Sequence, residues 1–146
     1  MTELMLVRGA HRDLTEVRVA DAMHPGVVTC PLETPLRDVA WMMALYRIHA
    51  VVAFGEDDDD VDGPGLWGVV SDLDLVRAAV PGRLEDLTAR GTAVTPAVTI
   101  GRDDTLQHAA QLMSEHDVTH LIVVDPGRAT PVGVLSTLDL ARALAA

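Results

Sequence analysis

The chain has 146 residues, 49% of them hydrophobic and only 3% aromatic, with a formal net charge of −11. That length holds one compact domain or two small ones sharing a core, and the apolar content excludes a disordered chain. All the cationic side chains are arginines and no basic patch is visible, which excludes binding of a nucleic-acid backbone.

Residues 1–16 form an extension whose apolar run Leu4-Met5-Leu6-Val7 suits a short strand. Val17 to Met23 reads as a lead-in with a helical turn, ended by Pro25-Gly26. Val27-Val28-Thr29-Cys30 is a short β-branched strand. Thr34 then caps a helix with Pro35 in its first turn, and Leu36, Val39, Ala40, Met43 and Ala44 mark the buried stripe. Ala50 to Phe54 is short and apolar enough for a buried strand. The acidic run through Glu56, Asp57, Asp58, Asp59, Asp60 and Asp62 repels itself and predicts a solvated loop over 55–65, since its aspartates do not alternate as in an EF-hand loop. Leu66 to Val70 is the next strand, and Asp72 to Val80 the next helix.

The same order then returns. A shift of seventy residues carries Val28-Thr29 onto Val98-Thr99, Leu36 onto Leu106, Met43 onto Met113 and Ala50–Phe54 onto His120–Val124. A shift of sixty-five carries Gly68-Val69-Val70-Ser71-Asp72-Leu73-Asp74-Leu75-Val76-Arg77 onto Gly133-Val134-Leu135-Ser136-Thr137-Leu138-Asp139-Leu140-Ala141-Arg142, with seven of ten positions identical. The change of shift falls in the loop, where length differences belong. Each unit is strand, helix, strand, strand, helix, too small for an independent core. The expected fold is α/β, with two tandem β-α-β-β-α units packed by pseudo-twofold symmetry.

The repeated decapeptide reads as a strand that stops at a serine and turns into a helix. Two readings of it stand. Free N–H groups and the positive dipole end suit an anion, while the aspartate can accept bonds from ribose hydroxyls. Alternatively, Ser-x-x-Asp is a capping box that needs no ligand.

Other chemistries fit poorly. His116 and His120 have zinc spacing only on one helix, and here a helix ends between them. His108, His116 and His120 have no histidine counterparts in the first unit. Cys30, the only cysteine, excludes an internal disulfide, and its counterpart Ile100 marks a buried, inert thiol. No Ser-His-Asp set can be assembled, so no catalytic residue and no metal ligand is assigned. Trp41 and Met42 lie off the buried stripe, which suits a partner surface or, equally well, contact with the other unit. No apolar run approaches a membrane span, and residues 1–16 lack a signal-peptide core, so a cytoplasmic protein without membrane contact is expected.

Val19-Ala20-Asp21-Ala22-Met23, the pairs Val28-Thr29 and Val98-Thr99, the helix ends Tyr46-Arg47-Ile48 and His116-Asp117-Val118, and the two Ser-x-x-Asp-Leu junctions resemble a tandem pair of cystathionine-β-synthase (CBS) domains, or Bateman module. The resemblance covers residues 17–146, with 17–82 and 83–146 as the two domains. It implies adenosine-nucleotide sites in the clefts between the paired units: Asp74 and Asp139 on ribose hydroxyls, Ser71 and Ser136 near phosphate. The base would be held near Thr29 and Thr99 and by the segments His49-Ala50-Val51 and Thr119-His120-Leu121. The family often has proline where this chain has Ala50 and His120. The implied function is a non-catalytic regulatory sensor of AMP, ADP, ATP or another adenosyl ligand, requiring no cofactor. It would form a homodimer and signal to a regulated protein. The alternative is an interaction module with no small-molecule ligand.

Overall fold

The computed structural model describes residues 13–55, 65–80, 84–94, 96–127 and 130–145. The apolar run 4–7 and the acidic run 56–64 lie outside the described residues. In chain order the elements are α1 (Val19–Ala22), β1 (His24–Pro25), β2 (Thr29–Pro31), α2 (Leu36–Tyr46), β3 (Ala50–Gly55), β4 (Gly65–Ser71) and α3 (Asp72–Ala79). A 3-10 turn, Leu84–Asp86, precedes α4 (Ala89–Thr92), β5 (Thr99–Gly101), α5 (Leu106–His116), β6 (His120–Val124), β7 (Pro131–Ser136) and α6 (Thr137–Ala145). The protein is therefore mixed α/β. No described helix is long and apolar enough to cross a membrane.

The chain folds into two compact units. One is Val27–Val98; the other joins Thr99–Ala146 to the lead-in that ends at Gly26. In the first, the sheet order is β2-β3-β4, with β2 and β3 parallel and β3 and β4 antiparallel. In the second it is β1-β7-β6-β5, with β5 and β6 parallel and the other pairs antiparallel. The lead-in thus adds a strand to the sheet of the second half of the sequence. Its counterpart stays in the first unit, where Val94 bridges Val69.

Hydrophobic periodicity explains the cores. Leu36, Val39 and Met43 recur on one face of α2 and pack on Val51 and Val70, all buried. Leu106, Ala109 and Met113 do the same on α5. Each fully buried leucine or valine contributes about 1.5–3 kcal/mol. Three expectations need correcting. Ala44 is exposed, and Met42 packs partly buried against the core rather than facing out with Trp41. Thr34 does not cap α2 either. Pro35 is extended, with ψ of 142°, so it occupies the cap position itself and brings no side-chain acceptor. The Leu36 N–H is satisfied instead by the Leu87 carbonyl at 2.9 Å. Helix α5 keeps a side-chain cap, with Thr105 Oγ1 accepting from the His108 N–H at 3.2 Å.

Candidate functional site

Both strand-to-helix junctions are built by the same local rules. Ser71 ends β4 opposite Ala50, and the Asp72 N–H donates to the His49 carbonyl at 2.9 Å, pinning the start of α3 to the entry of β3. Asp74 Oδ2 accepts from the Ser71 N–H at 2.8 Å and from the Ser71 hydroxyl at 2.9 Å, while Ser71 Oγ accepts from the Asp74 N–H at 3.2 Å. The Leu73 N–H donates to Asp72 Oδ1 at 2.9 Å. The first three N–H groups of α3 therefore already have acceptors, and two aspartates in its first turn offset the positive dipole end. The expectation of free donors for an anion fails at this junction, and the capping box is present. The junction still offers an acceptor. Asp74 is half-buried, and among the described residues no side chain meets its second oxygen, Oδ1. Such an oxygen suits a hydroxyl donor rather than a phosphate.

The second junction repeats the geometry. His120 lies opposite Ser136, and the Thr137 N–H donates to the Thr119 carbonyl at 3.0 Å. Asp139 Oδ2 accepts from the Ser136 N–H at 2.8 Å and its hydroxyl at 3.0 Å, and the Asp139 N–H returns to Ser136 Oγ at 3.2 Å. Here the second oxygen is taken. His24 Nε2, on β1, stands 3.0 Å from Asp139 Oδ1, and the Asp139 side chain is only 2% exposed.

The remaining candidates fall into two groups. Thr29 pairs with Val52 and Thr99 with Ile122, so each lies one strand over from its junction, exposed to solvent. His49 and Thr119 are exposed beside Ala50 and His120; His49 Nδ1 meets Asp72 Oδ2 at 3.1 Å, and Thr119 Oγ1 meets His120 Nδ1 at 2.9 Å. Val51 and Leu121 are fully buried and bring core side chains, leaving only their backbone near the junctions. Arg77 and Arg142 are exposed, and no ion pair joins either to the aspartate one turn earlier among the described residues. Cys30 is buried, and burial pushes its thiol pKa up against the opposing Thr34 hydroxyl, as an inert thiol requires. Among the described residues no three His, Cys, Asp or Glu side chains converge as metal ligands.

Sequence reasoning missed His24. Its signal lay in the shift of seventy that carries Val19–His24 onto Ala89–Val94, because both lead-ins edge up to the strand before a junction.

The family model for the CBS domain matches residues 19–81 and again 87–146. No curated protein matches the chain. Among solved structures, a CBS domain protein from Pyrobaculum aerophilum complexed with AMP is 29% identical, with a TM-score of 0.67, over 85% of this chain and 90% of that one. The CBS domain of a bacterial CNNM/CorC family Mg2+ transporter in complex with ATP is 20% identical, with a TM-score of 0.69, over 90% and 89%. The hexameric CBS-CP12 protein from bloom-forming cyanobacteria is 16% identical, with a TM-score of 0.72, over 86% and 69%.

Proposed function

Because the chain belongs to the CBS-domain family and carries that domain twice, we propose that it is a non-catalytic, cytoplasmic regulatory module that binds an adenine nucleotide or related adenosyl ligand. Residues 17–82 and 83–146 serve as its two CBS domains. The observation that carries the reading is the half-buried Asp74 carboxylate, held by Ser71 through one oxygen, with no side chain on the other among the described residues. A ribose presents adjacent hydroxyl donors, which match an open carboxylate oxygen. The exposed His49 and Thr29, with the backbone at the buried Ala50, lie close by for the base. The AMP complex of the Pyrobaculum protein supports the ligand class. Ligand contacts then favour one conformation of the module, and a regulated protein reads the shifted population.

The test is a thermal-shift panel with AMP, ADP, ATP, NAD and S-adenosylmethionine. A ligand at a hundred times its dissociation constant adds about 2.7 kcal/mol to stability. A flat response across the panel overturns the reading. A second reading, an interaction module without a small-molecule ligand, is favoured by one observation: Trp41, Leu45 and Tyr46 on α2 are all more than half exposed. A homodimer formed through that face fits either reading.

A further inference from the structure

Resting on the nucleotide-site reading above, we infer that the two junctions are not equivalent: the Asp74 junction takes the ligand, and His24 locks the Asp139 junction shut. The two Ser-x-x-Asp boxes match bond for bond, so the difference at the two aspartates is not in the boxes themselves. It comes from the lead-in that packs beside each. β1 pairs His24 with Val134 and Pro25 with Gly133, which delivers the His24 ring to Asp139. At the first junction the same place is held by Val94, bridged to Val69, and valine has no donor to offer.

An ionised carboxylate only accepts, so His24 Nε2 donates to Asp139 Oδ1 while Ser136 fills Oδ2. Both oxygens are committed, and the side chain is almost wholly out of solvent. A ribose hydroxyl reaching Asp139 must first displace a hydrogen bond to a charged group, a loss equivalent to about tenfold or more in affinity. Asp74 makes no such demand. Gly133 fixes the lock in place: a Cβ there would stand 2.6 Å from the His24 carbonyl oxygen and 2.8 Å from Met23 Sδ, so only glycine lets β1 approach this closely. The lead-in is thus a plug for the second site as well as an edge strand.

Calorimetric titration of the full chain with AMP, repeated with ATP, tests the assignment. Wild type should bind one nucleotide per chain, and Asp74→Asn should weaken that event about tenfold or more. His24→Val, which copies Val94, should add a second event, as should His24→Ala. His24→Gln, which keeps a donor near the Nε2 position, should not. Adding Asp139→Asn to His24→Val should remove the second event. Circular dichroism checks that each variant is folded, and the exposed His24 ring makes all three replacements mild. Two nucleotides per wild-type chain, a single event indifferent to Asp74→Asn, or no second event in either His24→Val or His24→Ala overturns the lock while the nucleotide reading stands. No binding by wild type and His24→Val alike overturns that reading and the lock with it.

Discussion

Asp104 shows how much a single carboxylate can organise within its unit. Its Oδ1 accepts from the Thr105 N–H at 2.8 Å, its Oδ2 meets the His108 ring one turn into α5, and its backbone carbonyl accepts from the Val19 N–H at 2.8 Å. Burial raises its pKa, but the His108 ring, the Thr105 N–H and the Arg18 charge outweigh that and hold the carboxyl below its ordinary 3.8. The sign follows from linkage. A folded-state pKa below the unfolded one gives stability that is fully present above pH 3.8 and is lost as pH falls through the lower folded value. The side chain is a third exposed, so solvent screening limits the effect. Asp104→Asn should cost about 0.5–1 kcal/mol at neutral pH, and the deficit should shrink below the ordinary carboxylate pKa. Urea midpoints at neutral pH and in acid measure this; a deficit that stays constant or grows in acid refutes it. The sequence exposes His108 only as a histidine without a counterpart. Its real role lay in the four-residue spacing to Asp104, a helical neighbour relation legible without a structure.

The elements divide into those the repeat made legible and those it hid. Strands β3 and β4 return as β6 and β7, and helices α2 and α3 as α5 and α6, and alignment of the copies places them within a residue or two. Local chemistry was legible as well, since Ser-x-x-Asp predicts the capping box that both junctions form. Strand β1 was hidden because its partner lies far along the chain, and antiparallel pairing leaves no local spacing to read. The lock on Asp139 was hidden with it: the shift of seventy sets His24 against Val94 but names no pairing partner for either. Gly133 gives the test at this scale. Gly133→Ala would drive a methyl into the His24 carbonyl, which is backbone and cannot rotate away, so β1 must part from β7. The expected loss is about 1–3 kcal/mol. The Gly26 amide, which donates to the Val132 carbonyl at 2.8 Å, should then exchange with solvent much faster. Gly101→Ala is the control: it also lies in a strand, but a Cβ there meets nothing within 4 Å. Equal effects of the two substitutions would mean that β1 is not held by close approach.

At the scale of the whole molecule the asymmetry between repeats points outward to assembly. On α2, Trp41 is 66% exposed, Leu45 55% and Tyr46 57%, opposite the buried stripe of Leu36, Val39 and Met43. The neighbouring α3 adds exposed Leu73 and Val76, and Val80 at its C-cap continues them at helical spacing. Had the α2 residues served only the fold, the other repeat would carry them too. It does not: α5 holds Gln111, Glu115 and His116 where α2 holds Trp41, Leu45 and Tyr46, although the exposed Leu73 of α3 does return as the exposed Leu138 of α6. One half of the sequence therefore keeps a large apolar face that the fold leaves uncovered. A second copy of the chain, presenting the same face, would bury it by a self-complementary contact. The charge of −11 on each chain opposes that association, so screening by salt should tighten it while weakening an interface built on ion pairs. Light scattering at micromolar concentration should give about twice the chain mass, more firmly at high than at low salt. Trp41→Glu, alone or with Leu45→Glu, should halve the mass without lowering the unfolding midpoint extrapolated to low protein concentration. A monomer across that range, or a dimer unmoved by both substitutions, would leave the α2 face to some other partner.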